Sequence, residues 1–153
     1  MPESKKLKTI LFNKCQEYAD QRIENARNGM ALAQQAANEE MKSSAGDKYN
    51  TGRALMQIER DKYAKQFVEA QKLFQALDLI SLTKHFNKVE LGSLVETSNG
   101  NYFMSISMGK IDVDGYTAYA ISPASPLGQQ LLGKMEGEKA VFNKKEISIH
   151  KII

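Results

Sequence analysis

The sequence predicts an α+β protein: an antiparallel α-helical coiled-coil hairpin followed by a small antiparallel sheet domain. A first long stretch, from about residue 4 to 41, has no proline and a single glycine. A second stretch repeats apolar residues every seven positions. After residue 91 the helical periodicity gives way to short β-prone runs separated by turn signals. We therefore place the hairpin at 1–80 with its tip near 43–51, a hinge at 81–91 and the sheet domain at 92–153.

The first helix is predicted from a stripe of small and apolar side chains spaced alternately three and four apart, as in the seam of a coiled coil. The stripe consists of Ile23, Ala26, Met30, Ala33 and Ala37. Turn and cap residues at 43–47 interrupt it. Cys15 falls on the same seam, so we interpret it as a small core residue rather than a nucleophile.

The second helix is predicted from near Thr51 to about Leu79, on a stripe made by Met56, Tyr63, Ala70 and Leu77, with Phe67 and Phe74 as its second row. Two helices joined by so short a break must be antiparallel neighbours. A dimerising coiled coil or part of a helical bundle is the alternative, but the charged outer faces favour a freestanding arm.

The sheet domain is predicted strand by strand. Strands are expected at 92–97, at 102–108 after the Asn99-Gly100 hairpin signal, and through Ile121 after the Asp114-Gly115 turn. A short helix is expected at 127–132, and further strands at 140–142 and 146–152. So many strands with one helix in about 60 residues imply a small α+β domain, too small for a deep cleft.

Composition excludes several classes of protein. The chain has 153 residues, a net charge of +3 and one cysteine, which cannot form an internal disulfide. No run approaches the length of a membrane span, and the N-terminus lacks the pattern of a signal peptide. We expect a cytoplasmic protein with no membrane partner. The mild positive charge allows an anionic partner, DNA included, without requiring one. The two histidines, 65 positions apart, support neither a zinc site nor a catalytic triad.

The most specific motif lies where a strand-like run ends at Ser125-Pro126-Leu127. Leu131-Leu132-Gly133-Lys134 and Glu136-Gly137-Glu138 follow it. This passage resembles the C-terminal domain of the Gre-type transcript cleavage factors, and the helical hairpin before it resembles their other half. The resemblance covers nearly the whole chain and identifies it as a divergent member. It implies an FKBP-like sheet domain that docks at the rim of the secondary channel of RNA polymerase.

The resemblance also implies a function for the hairpin tip. In that family the hairpin enters the channel, and tip carboxylates help to hold the second Mg²⁺ with which the polymerase cleaves backtracked RNA. The family motif is Asp-x-x-Glu, and the matching residues here are Asp47-Lys48-Tyr49-Asn50. Asp47 keeps the aspartate, whereas Asn50 replaces the glutamate and brings no charge. Glu39 and Glu40 lie just below the tip and are weak candidates to compensate.

The implied protein is not itself an enzyme. It is expected to stimulate the polymerase's own hydrolysis and to need no cofactor beyond the polymerase's active-site Mg²⁺. It binds no stable metal and acts as a monomer. Its contact with the backtracked RNA 3′ end is indirect. Polymerase contacts are expected at 124–127, where Ala124 replaces a residue that is often polar or acidic in the family. The RNA-proximal candidates are Lys42, Lys48, Tyr49 and Arg53.

Structural roles remain open for the same residues. Asp47 is also a good turn-former or helix cap after Gly46. Ser125 and Pro126 also make a standard helix start, with a cap followed by proline at the first helical position. Scattered lysines and arginines also occur on any soluble surface.

Three further functions compete with a cleavage factor. Asn50 favours a channel-binding modulator or inhibitor without cleavage activity. The predicted sheet domain is also compatible with an FKBP-like prolyl isomerase or chaperone carrying a helical arm, although fold does not imply activity. A self-associating coiled-coil scaffold is the last alternative.

Overall fold

The computed structural model describes residues 2–43 and 47–153, without the side chains of residues 2, 40–43, 47–51 and 53. Its elements in chain order are α1 (Pro2–Ser43), α2 (Asp47–Asp78), β1 (Leu94–Thr97), β2 (Gly100–Met104), β3 (Gly109–Val113), β4 (Tyr116–Ile121), α3 (Pro126–Leu131), β5 (Lys139–Phe142) and β6 (Lys145–Ile152). Two long helices followed by a sheet with one short helix confirm the predicted α+β class.

The chain forms two compact units, one made of 1–18 and 75–153 and the other of 19–74. The first, the sheet unit, therefore includes the beginning of α1 and the last residues of α2. The second, the hairpin unit, contains the rest of both helices. The prediction divided the chain into consecutive segments, 1–80, 81–91 and 92–153. The two units are instead grouped by contacts, so one of them combines both ends of the chain.

Within the hairpin unit the two helices are antiparallel. Arg60 Nη1 donates a 2.9 Å hydrogen bond to Gln34 Oε1, and the Arg27 guanidinium lies 5.8 Å from the centroid of the Phe67 ring. As the residue number rises along one helix, the number of its partner falls along the other. Among the predicted seam positions, Ala26, Ala33 and Ala70 are buried in this unit, and Cys15 and Leu77 are buried in the sheet unit.

The sheet has six strands in the order β3-β4-β2-β1-β6-β5. It is mixed, because β2 and β4 are parallel while every other neighbouring pair is antiparallel. The prediction of a wholly antiparallel sheet was wrong because it missed β3. The chain reverses direction into β3 and reverses again at Asp114-Gly115, so β4 returns beside β2 in the same direction.

Several predicted strands begin or end elsewhere. The first begins at Leu94 rather than residue 92, because Ser93 Oγ bonds both the N–H and the carbonyl of Glu90 in a turn. The second ends at Met104 rather than residue 108. The short helix and the last two strands lie within a residue or so of their predicted bounds.

Both faces of the sheet carry buried side chains, because successive residues of a strand point to opposite faces. On one face a core forms among Val89, Val95, Tyr102, Met104, Leu131, Ile147 and Ile149. On the other, Leu94 and Phe103 are fully buried. Cys15 of α1 contacts this second side through Ser105, with 3.6 Å between Sγ and Oγ. The predicted core role of Cys15 is confirmed, and its neighbour is the sheet segment after β2.

Candidate functional site

The turn at 122–128, which we call the corner, joins β4 to α3 and is fixed by its own hydrogen bonds. Ser125 Oγ accepts from the Gly128 N–H at 3.1 Å and donates to the Ser122 carbonyl at 2.6 Å. Ser125 is thus the N-cap of α3, with Pro126 at the start of the helix. The structural interpretation of this pair is confirmed, and the Ser125 hydroxyl proton is used within the chain.

Gly128 is required for this geometry. A Cβ at this position would overlap the Ser122 carbonyl oxygen and would lie 2.8 Å from Ser125 Oγ. The close approach of helix and turn explains why the corner needs a residue without a side chain here.

The four residues predicted to contact polymerase, 124–127, differ in their exposure to solvent. Ala124 and Pro126 are exposed, and Ser125 is half-buried. Leu127 is partly buried against the core. A partner at this corner would therefore meet Ala124 and Pro126 first, while Ser125 and Leu127 hold the turn in shape.

The segment after α3 is tied back to the start of the sheet unit. Gly133 N–H donates to the Val89 carbonyl, and Val89 N–H donates to the Lys134 carbonyl, each at 2.8 Å. Gly133 has a φ of +82°, which glycine adopts without strain. Gly133 thus follows Leu132, the C-cap residue of α3.

Three large apolar side chains are exposed on the segment from α3 to β5. Leu132 is 47% exposed, Met135 52% and Val141 59%. The Leu132 N–H donates to the Gly128 carbonyl, so Leu132 lies one helical turn from the corner. An exposed apolar side chain next to a rigid turn, as at Leu132, is suited to contact with another protein. The sequence analysis did not predict that these three side chains are exposed, because an apolar residue near a helix or strand is usually assigned to the core.

The tip candidates lie mostly outside the described side chains. This is so for Lys42, Lys48, Tyr49, Asn50, Arg53 and Glu40, and Asp47 is placed only by its backbone, as the first residue of α2. Glu39 is described and exposed, and its Oε1 accepts a hydrogen bond from Gln35 at 3.5 Å. The roles assigned to these residues stay predictions.

In the described part of the chain, no group of three or more His, Cys, Asp or Glu side chains is arranged to hold a metal ion. Over the same residues, no helix is long and apolar enough to cross a membrane.

The chain is similar to a solved structure described as that of the transcription factor Gfh1. The identity is 21%, the coverage is 89% of this chain and 91% of that chain, and the TM-score is 0.35. No family model and no curated protein matches the chain. A TM-score of this size does not establish a shared fold, so the function proposed below rests on the residues of this chain.

Proposed function

We propose that this protein is a Gre-like transcription elongation factor that binds RNA polymerase, inserts its helical hairpin into the secondary channel and promotes cleavage of backtracked RNA through Asp47. The observation that carries the proposal is the antiparallel helix pair. Ser43 ends α1 and Asp47 begins α2. With partners such as Arg60 and Gln34 numbered in opposite directions, Ser43 and Asp47 belong to the same end of the pair.

A carboxylate at the end of a helix pair can enter a narrow channel that a globular domain cannot. In the polymerase active site it would supply a hard oxygen ligand for a weakly held Mg²⁺ and help to orient the attacking water. The hydrolytic active site remains that of the polymerase, and this chain needs no metal of its own.

The corner and the exposed apolar residues support a docking role for the sheet unit. Ala124 and Pro126 are exposed on a turn held by hydrogen bonds among Ser122, Ser125 and Gly128. Leu132 follows within one helical turn, and an apolar side chain on a rigid support loses little entropy when a partner covers it. We therefore assign polymerase docking to Ala124, Pro126 and Leu132.

Asn50 favours a second outcome for the same binding mode. With one tip carboxylate in place of two, the chain would occupy the channel as a modulator or inhibitor and not accelerate cleavage. The amide of Asn50 is neutral and is a weaker ligand for a divalent cation than a carboxylate.

Addition of the protein to a stalled, backtracked polymerase from the same organism tests both outcomes. We expect faster cleavage of the RNA 3′ end, abolished by Asp47→Ala and increased by Asn50→Glu. Asp20→Ala is the matched control, since it removes an exposed carboxylate from α1. Binding without acceleration would establish the modulator. Failure to bind core polymerase at micromolar concentration would refute both.

A further inference from the structure

A cavity of about 580 Å³ lies within the sheet unit and is lined by the start of α1, the segment 82–86 and the end of β6. Its charged lining residues are all basic or imidazole side chains: Lys5, Lys8, Lys84, His85 and Lys151. No carboxylate side chain is among the described residues that line it. Such a cluster repels itself and attracts anions.

Lys8 is the most unusual member of this lining, because it is only 2% exposed. Its Nζ donates to the main-chain oxygen of Ile153 at 3.1 Å and lies 4.6 Å from the centroid of the Phe86 ring. An ammonium group has three N–H donors. One protein acceptor among the described residues therefore leaves it undersatisfied, which is costly for a buried charge.

Two carboxylates contact the cavity wall from outside. Glu90 lies 3.5 Å from Lys84 Nζ, and Glu136 Oε1 accepts from the Ile152 N–H at 2.9 Å. Glu90 offsets the charge of Lys84, but Lys5 and Lys151 form no ion pair with any described side chain, and the one described acceptor of Lys8 is the Ile153 oxygen. Three ammonium groups are therefore available to a ligand.

The rest of the lining combines the apolar residues Leu82, Phe86, Ile152 and Ile153 with the hydroxyl-bearing Ser4 and Thr83. Both Lys8 and Lys84 lie over the Phe86 ring, so this ring serves the lysines rather than a stacked ligand. One water occupies about 30 Å³ in the liquid. The cavity volume of about 580 Å³ is many times larger. The cavity therefore has room for a charged group together with an apolar portion.

We propose that this cavity binds a small organic phosphate or diphosphate, with its phosphate oxygens on Lys8, Lys5 and Lys151 and its organic part against Leu82 and Ile152. Lysine binds phosphate as a compact point charge. A phosphate oxygen would also supply the acceptors that Lys8 lacks. This binding is independent of the polymerase function proposed above.

Calorimetric titration of the full-length protein with inorganic pyrophosphate tests the charged half of the site. We expect saturable one-to-one binding that weakens about tenfold or more in Lys8→Met, since a charge-assisted hydrogen bond is lost. Lys151→Gln, on an exposed side chain, should also weaken binding and serves if Lys8→Met does not fold. Lys110→Gln is the matched control: it removes one charge on β3, four strand positions from β6.

A second readout separates Lys8 from the other groups that face the cavity, Lys5, Lys84, His85 and Lys151. Burial lowers the pKa of Lys8 to about 8. A bound anion favours the charged form and should raise this pKa, so Lys8 should take up a proton from the buffer on binding. At pH 8.5, binding heats measured in buffers of different ionisation enthalpy should then show proton uptake. That uptake should be smaller in Lys8→Met.

Equal pyrophosphate affinity in Lys8→Met, Lys151→Gln and Lys110→Gln would overturn the proposal, because it would mean nonspecific attraction to a basic surface. Absence of pyrophosphate binding would also overturn it, and so would binding of a single-stranded RNA oligonucleotide alone.

Discussion

Gly29 of α1 lies against the ring of Tyr63 of α2, so closely that a methyl group at Gly29 would overlap the ring. Glycine within a helix costs about 1 kcal/mol relative to alanine. The packing of a large ring against a glycine therefore explains why the helix contains this residue, and it locks the register of the hairpin at this level.

We predict that Gly29→Ala lowers the free energy of unfolding by about 1–2 kcal/mol, because the overlap with the ring outweighs the gain in helix propensity. In a Tyr63→Ala background the same substitution should instead stabilise by about 0.5–1 kcal/mol. Urea unfolding followed by circular dichroism gives the double-mutant cycle. The same sign in both backgrounds would contradict this packing.

The corner gives a second prediction. Ser125→Ala should cost about 1 kcal/mol, the usual value of an N-cap. Gly128→Ala should cost more, because its Cβ would overlap the Ser122 carbonyl oxygen. Gln130→Ala, an exposed position in the same helix, is the control and should be nearly neutral. Thermal unfolding of the four proteins measures these differences, and a neutral Gly128→Ala would show that the corner is not so tightly packed.

Lys8 gives a pH dependence of known sign. Burial lowers its pKa from 10.5 to about 8 in the folded chain. Between these two values the unfolded chain binds more protons than the folded one, so stability rises with pH. The cost of the buried charge is fully present below pH 8 and is gone above 10.5.

We therefore predict that Lys8→Met is more stable than the wild type at pH 7, and that this advantage shrinks as the pH rises towards 10.5. Urea unfolding at pH 7, 8.5 and 10 measures the difference, with Lys110→Gln as the control for loss of a charge. An advantage that does not depend on pH would show that Lys8 is not desolvated.

The single thiol should be unreactive in the native protein. Burial raises the pKa of Cys15, and the hydrogen bond with Ser105 offsets only part of this rise. Because the thiolate is the reactive species, a disulfide reagent at pH 7.5 should modify the native chain very slowly and the urea-unfolded chain rapidly. Fast modification under native conditions would mean that α1 does not stay packed on the sheet.

The helical pairing could be predicted because it depends on local repetition. Ala26, Ala33 and Ala70 lie on stripes visible in the sequence, and all three are buried. Strand β3 could not be found in this way: Lys110 and Asp112 are exposed, and Ile111 is its one buried side chain. β3 lies at the edge of the sheet because it pairs with β4. Such pairing between strands leaves no pattern in the sequence of β3 itself.

The basic cavity was missed for a related reason. Lys8 stands three residues before the buried Leu11, and a lysine on the buried side of a helix was a visible signal. Lys84 and Lys151, however, come from segments far apart in the chain, and only folding brings them to one cavity. For the tip residues the sequence supplied a function and the structure adds no contacts. The roles of Asp47 and Asn50 depend on the family motif alone.

The most direct test of the central claim replaces the active-site Mg²⁺ of RNA polymerase with Fe²⁺ and adds hydrogen peroxide. The Fe²⁺ reduces the peroxide to hydroxide and a hydroxyl radical, and the radical cuts nearby polypeptide. With the wild-type protein bound, we predict cuts confined to the region around residues 44–51. Addition of excess Mg²⁺ should suppress them. Cuts in the sheet unit, or a chain that binds polymerase and is not cut, would contradict a hairpin tip placed at the catalytic metal.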